Sequence, residues 1–318
     1  MSARDLVSLY NGSPDSDLGL TSCLDTDTVA IVGVGNVALD VARLILSPVD
    51  MLRKTDVSDT WLQMRANSRV KKVVVIGRRG PLNVSFTIKE LREMIKLKSV
   101  QTLINPSEFD GVQEQIGKLE RPRKRLTELL LKTMNIEQGS HDQSWELKLW
   151  RTPVSVLGDE SVTGLELRDT RDTALTETLD CGLVVRSVGY SSVQADTQLP
   201  WDDTKRVISN EEGRARDTPG LYTAGWLGTG PRGVIIDTMN TAFRVAASLV
   251  ADLTTHQLDQ RQGLEGVGEG VRGATSWADW ERLDREELRR GESKGKARDK
   301  IVRIQEMMEV IRDSDTYV

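Results

Sequence analysis

The feature that most limits what this chain can fold into is Val29-Ala30-Ile31-Val32 running into Gly33-Val34-Gly35-Asn36-Val37-Ala38. A short β-branched apolar run is the pattern of a parallel strand buried on both faces. Behind the glycines, Val37, Val41 and Ile45 form a stripe at helical spacing, with Ala38 and Ala42 beside it. Ser47-Pro48 closes the pattern, because proline cannot continue a helix. Strand, G-x-G-x-x-A turn and apolar helix, in that order, is the context in which this motif binds a dinucleotide. The first glycine makes the tight turn, the second lets backbone approach a pyrophosphate, and the alanine permits close helix packing. Free N–H groups and the positive end of the helix dipole then face the phosphates. Gly33, Val34, Gly35, Asn36 and Val37 are therefore candidate phosphate-binding residues. The bland alternative is a glycine-rich turn with no ligand.

The next strand adds weight to the ligand reading, although a solvated basic turn is its bland alternative. Val73-Val74-Val75-Ile76 runs into Gly77-Arg78-Arg79-Gly80-Pro81. NAD sites place an acid after this strand for the ribose 2′-hydroxyl. Two guanidiniums suit a 2′-phosphate instead, because their planar forks match phosphate oxygens. Arg78 and Arg79 thus point to NADP(H). Thr87-Ile88-Lys89-Glu90 has capping-box spacing and opens a helix with Ile88, Leu91 and Ile95 on its apolar side. Glu90 has two readings: it closes that box with Thr87, or it touches the cofactor ribose. Asp40 reads as an ordinary polar-face acid.

The rest of the chain alternates strands and helices, which predicts an α/β fold with a parallel sheet. Residues 11–28 read as a loop, and 49–69 as a polar insertion with a short helix around Trp61. A helix is expected around Leu126–Leu131. Residues 145–188 read as a small antiparallel meander plus one buried strand, Leu183-Val184-Val185. Leu221–Ala224 reads as a strand, 236–253 as a long helix and 258–273 as a linker. Ile301, Ile304, Met308 and Ile311 share one face of a final helical segment.

Composition excludes several classes. Net charge is -5 and only 4% of residues are aromatic, so nucleic-acid binding is not expected. No apolar run approaches the roughly 18 residues of a membrane span. Two cysteines, Cys23 and Cys181, make neither a zinc module nor a disulfide scaffold. His141 and His256 lie among polar residues and are not expected to be ligands or bases. The opening MSARDLVSLYNGSPDSD has no apolar h-region and several acids, the pattern neither of a secretory signal nor of a good mitochondrial presequence. Against this acidic background, Arg121, Arg123, Lys124 and Arg125 form a local basic cluster. Such a run is either a solvated helix start or a patch that steers an acidic partner.

Longer segments carry a family resemblance. Asp180–Tyr190 looks like the acid–strand–glycine segment that leaves the nucleotide domain in flavoproteins with two dinucleotide-binding domains. Thr218-Pro219-Gly220-Leu221-Tyr222-Thr223-Ala224-Gly225 looks like their late FAD-binding strand. Gly225-Trp226, Gly230-Pro231-Arg232-Gly233-Val234-Ile235 and Thr238-Met239 narrow the match. So do Gly35–Arg43, Phe86–Glu93, Arg121–Leu130, Ser276-Trp277-x-x-Trp280 and Arg290-Gly291-Glu292. Together they resemble the adrenodoxin reductase family, the mitochondrial-type ferredoxin–NADP⁺ reductases, over nearly the whole chain.

The resemblance implies a Rossmann-like NADP(H)-binding domain over 1–190 and the C-terminal portion of an FAD-binding domain over 191–318. It implies NADPH:ferredoxin oxidoreduction, with hydride passing to FAD and single electrons to a [2Fe–2S] ferredoxin (adrenodoxin). Val34–Val37, Arg78, Arg79, Glu90 and Gly233 are then NADP-binding. Trp226, Gly233, Val234 and Ile235 border the flavin. Arg92, Arg121 and Arg125 face the ferredoxin. No residue is expected to act as an acid–base catalyst, and no metal site is expected. The implied location is mitochondrial, in the matrix or on the inner membrane. The helix opened by Gly233-Val234-Ile235 also predicts a dipole that stabilises negative charge on a reduced flavin.

The sequence departs from the family pattern in three places. Val34 stands where the family usually has Gln. Gly228-Thr229 lacks the basic pair that some relatives carry. No strand with its own G-x-G-x-x-G precedes the NADP domain in these residues. The last point leaves two further expectations open: a truncated, non-catalytic module that binds NADP(H) and ferredoxin without flavin, or a sequence lacking an N-terminal segment.

Overall fold

The computed structural model describes residues 1–14, 23–134, 141–255 and 273–313. In chain order the elements are α1 (Ala3–Asn11), β1 (Thr28–Val32), α2 (Asn36–Leu46), α3 (Val49–Leu52), α4 (Asp59–Ala66), β2 (Lys72–Ile76) and α5 (Ile88–Ile95). Then come β3 (Val100–Ile104), α6 (Val112–Gln115), α7 (Arg121–Met134), β4 (Gln143–Lys148), β5 (Arg151–Leu157), β6 (Gly164–Asp169), β7 (Thr176–Asp180) and β8 (Leu183–Arg186). Beyond these lie β9 (Trp201–Asp202), β10 (Val207–Ile208), β11 (Asn210–Glu211), β12 (Arg214–Ala215), α8 (Trp226–Thr229) and α9 (Ile235–Thr255). The tail carries α10 (Trp277–Ser293) and α11 (Ile304–Asp313).

Five strands form a parallel sheet in the order β3-β4-β2-β1-β8. Val29, Ala30 and Ile31 are buried on both faces, as their apolar run requires. One face is covered by helices, with Leu39, Ile45 and Leu91 packed on Val29, Ile31, Val73 and Val75. On the other face Ala30, Val74 and Ile76 meet Leu165 and Leu167 of the antiparallel meander β5-β6-β7, and Cys181 just after it. The α/β class is as expected, in a Rossmann-type parallel sheet whose second face is covered by a meander.

Some elements differ from the sequence reading. Gln143–Lys148 alternates like an antiparallel strand, yet β4 lies inside the parallel sheet between β2 and β3. Leu221–Ala224 forms no strand, only a single bridge between Tyr222 and Arg214. Helix α1, capped by Ser2 and Asp5 in a reciprocal box, is an element the sequence reading did not include, and it ends where the segment read as a loop begins. Part of that loop, His256 and most of the 258–273 linker lie outside the described residues.

Contacts group the chain into two compact units, Met1–Val188 with Thr275–Val318, and Gly189–Ala274. The described tail residues 275–313 therefore pack with the nucleotide-fold unit, whereas the sequence division at 190 grouped them with residues 191–274. Charge complementarity explains the docking of this tail. Lys296 and Lys294 both reach Asp59, and Lys300 reaches Asp56 at 2.9 Å. Ile301 is buried, and its N–H donates to Glu287 at 3.0 Å. The smaller unit has a modest core that includes Val207, Ile208, Ala215 and Val245.

Candidate functional site

From β1 the chain proceeds to β2 on one side, while β8 pairs on the other. This change of direction is a topological switch point, where open α/β sheets bind ligands. The G-x-G turn lies there. Gly33 has φ +128°, and a Cβ on it would meet the Ser187 carbonyl oxygen at 2.0 Å, so only glycine fits. A Cβ on Gly35 would meet nothing within 4 Å, and no side chain caps α2. The Asn36 side chain is drawn elsewhere, accepting from the Thr87 N–H at 2.7 Å. Ala38 is fully buried, as close helix packing requires. The start of α2 therefore presents its first backbone N–H groups to open space, the donor set a pyrophosphate needs.

Arg78 and Arg79 follow at the end of β2 on the same edge. Both are exposed, and neither side chain forms an ion pair or hydrogen bond among the described residues. The turn beneath them is fixed. The Gly77 N–H donates to the Lys148 carbonyl at 2.8 Å, and the Gly77 carbonyl accepts from the Arg151 N–H at 2.9 Å. Two unpaired guanidiniums on a fixed turn beside an uncapped helix start fit a dinucleotide with a 2′-phosphate.

Thr87 takes the N-cap position of α5, but the expected capping box does not form. Its hydroxyl donates to the Glu90 carboxylate and makes no bond to a backbone N–H of the helix. Asp40 is used structurally, accepting from the Tyr10 hydroxyl at 3.2 Å and pairing with Arg43.

In the smaller unit, Gly225 leads into α8 with Trp226 half exposed and tilted against Tyr190 at 6.0 Å between ring centroids. Val234 and Ile235 open α9, and Ile235 is 88% exposed. A cavity of about 250 Å³ lies behind Gly225, lined by Gly213, Thr223, Gly228 and Thr229 among others. Asn210, Glu212, Thr241 and Arg244 add polar and charged groups to that lining, and the exposed apolar Trp226, Val234 and Ile235 lie outside it; it is these apolar side chains that suit a flat aromatic ring. One feature was missed from sequence. Asp237 accepts from the Val234 N–H at 2.9 Å, so α9 carries its own carboxylate where its dipole would otherwise act on a ligand. An acid three residues into a glycine-opened helix was the available signal.

Arg92 on α5 and Arg121 and Arg125 on α7 are all exposed, and these two helices pack on one another. Arg123 is different: its guanidinium donates to the Val84 carbonyl at 2.6 Å and ties α7 to the loop before α5. His141 is exposed, no metal-binding cluster occurs among the described residues, and no described helix is long and apolar enough to cross a membrane.

No protein-family model matches the chain. Among curated proteins, the mitochondrial NADPH:adrenodoxin oxidoreductase of Salvelinus fontinalis is 41% identical over 341 residues, covering 98% of this chain and 68% of that protein. Those of Homo sapiens and Drosophila melanogaster are 42% and 43% identical, each match taking 98% of this chain and 69% of the relative. Among solved structures, Mycobacterium tuberculosis FprA in complex with NADPH matches with a TM-score of 0.88 at 30% identity, covering 98% of this chain and 73% of that one.

Proposed function

The chain belongs to the NADPH:adrenodoxin oxidoreductase family, and from that membership we infer that it passes electrons from NADPH through FAD to an iron–sulfur ferredoxin. FAD, when bound, supplies the chemistry that accepts a two-electron hydride and releases electrons singly. The chain's own residues bind and orient. The α2 start at Gly33–Val37 holds the NADP pyrophosphate, and Arg78 and Arg79 clasp the 2′-phosphate. Glu90 completes the ribose side. Gly233 serves both cofactors, beside the nicotinamide and the flavin, while Trp226, Val234 and Ile235 line the flavin. No side chain is required to move a proton. The unit Met1–Val188 with its C-terminal tail acts as the NADP(H)-binding domain, and Gly189–Ala274 contributes the C-terminal portion of the FAD-binding domain.

The observation that carries this reading is the pairing of an uncapped helix start with two unpartnered guanidiniums at the switch point. The partner is a [2Fe–2S] ferredoxin, met by Arg92, Arg121 and Arg125, and nucleic acid is not a ligand. The relatives' mitochondrial names support a mitochondrial location, in the matrix or on the inner membrane. Purified protein should carry FAD near one equivalent and reduce a [2Fe–2S] ferredoxin with NADPH. A colourless protein that still binds NADPH, and gains no activity on adding FAD, would remove the oxidoreductase reading for this chain.

A further inference from the structure

We propose that Trp150 and Thr170 are positioning residues for 2′-phosphate recognition, holding the Arg78–Arg79 turn in the shape that separates NADPH from NADH. The proposal rests on the assignment of Arg78 and Arg79 as the 2′-phosphate readers, and goes beyond it by naming what holds them.

An arginine pair on a free loop loses affinity to the entropy of ordering that loop. This turn is ordered in advance by residues distant in sequence. The Thr170 hydroxyl donates to the Arg78 carbonyl at 2.9 Å. The Trp150 indole lies directly under Gly80, where an added Cβ would be 2.0 Å from Cζ2 of the ring. Gly80 is thus required by close approach, and the ring forms the floor of the turn.

Trp150 is itself held on several sides. Its indole N–H donates to the Glu108 carbonyl at 3.0 Å. Its own carbonyl accepts from the Thr170 N–H at 2.9 Å. The Arg171 guanidinium carbon sits 5.6 Å from the ring centroid, within cation–π range. Arg171 is tethered in turn, 3.3 Å from both the Asp169 carboxylate and the Ser107 carbonyl. Trp150 also has φ +57°, a left-handed conformation that a bulky residue keeps only when its surroundings over-determine it. That strain sits at the β4–β5 junction and places the ring beneath the turn.

Neither Trp150 nor Thr170 hydrogen-bonds to the pyrophosphate site at Gly33–Val37. Loosening this scaffold should cost recognition of the 2′-phosphate and little else. The test uses intact protein titrated with 2′,5′-ADP and with 5′-AMP, probes that differ in the 2′-phosphate and need no flavin. Trp150→Ala should weaken 2′,5′-ADP about tenfold, on the scale of 1.4 kcal/mol per decade, with 5′-AMP unchanged, and Trp150→Phe should restore most of the loss. Thr170→Val, at an exposed position, removes one neutral hydrogen bond and should weaken 2′,5′-ADP about fivefold. Equal weakening of both probes, or unchanged binding of both, overturns the proposal. Should Trp150→Ala fail to fold, Thr170→Val decides by the same criterion. Arg78→Ala with Arg79→Ala separates the two levels: if that variant keeps the preference for 2′,5′-ADP, the assignment of the arginines fails and the proposal falls with it. If it loses the preference while the Trp150 and Thr170 variants keep theirs, only the proposal falls.

Discussion

Arg78 and Arg79 have no ionic partner among the described residues, whereas Arg151, Arg171 and Arg298 each sit on a carboxylate. Beneath this surface, Glu108 is in the opposite situation. It is 4% exposed, and its carboxylate accepts from the Leu149 N–H at 2.8 Å. Burial pushes its carboxyl up to about 7, against the pull of that N–H and of the Arg151 and Lys148 charges, with Glu146 adding to the rise. The folded state therefore keeps a proton that the unfolded chain releases near 4.5. By linkage, stability from this group is full below about pH 4.5 and is lost as pH rises toward 7. The loss is on the order of 3 kcal/mol, at 1.36 kcal/mol per pKa unit. Glu108→Gln keeps an acceptor for Leu149 and removes the titration. It should match the native protein in acid and exceed its stability at pH 8, read by denaturant unfolding across that range. Parallel curves for the two proteins would show that Glu108 does not titrate with folding.

At the scale of elements, sequence legibility followed burial and period. β1, β2 and β8 read clearly because a parallel strand buried on both faces needs an unbroken apolar run. α2, α5, α7 and α9 read clearly from their apolar stripes. Helix α1 went unread although Ser2 and Asp5 form a capping box and Leu6, Leu9 and Tyr10 follow at helical spacing, because the polar stretch after it dominated the window. β4 was misplaced because Trp145 and Leu147 alternate with polar residues, the mark of a half-exposed strand, while its parallel partners come from residues far away. The dinucleotide turn and the Arg pair were legible as local motifs. The floor under that pair was not, since Trp150 and Thr170 reach it only through the fold. Asp237 on α9 yields a prediction of its own. Its carboxylate adds negative charge where a reduced flavin would gather more, offsetting the helix dipole. Asp237→Asn should raise the potential of bound flavin by roughly 20 mV, about 1 kcal/mol for a two-electron couple. Spectroelectrochemical titration measures this, and an unshifted potential would place Asp237 away from the flavin.

For the whole molecule, the basic start of α7, together with Arg92 of α5, stands out against a net charge of -5. A local positive patch on an acidic protein steers an acidic partner without attracting polyanions in general. Arg121→Glu with Arg125→Glu should weaken binding of a [2Fe–2S] ferredoxin about tenfold at low salt, in the range of interface charge pairs, and flatten its dependence on ionic strength. Titrations unchanged across salt concentration would take the ferredoxin off this face. The nucleotide unit is also discontinuous: its tail returns after residues 189–274 and fastens to α4 through Lys294 and Lys296 on Asp59. During synthesis the sheet of β1 to β8 emerges first, yet the clasp that completes the unit is made last. The nucleotide unit is thus begun before residues 189–274 and finished only after them, and a ribosome that stalls within the smaller unit leaves Asp59 on α4 without its lysine partners.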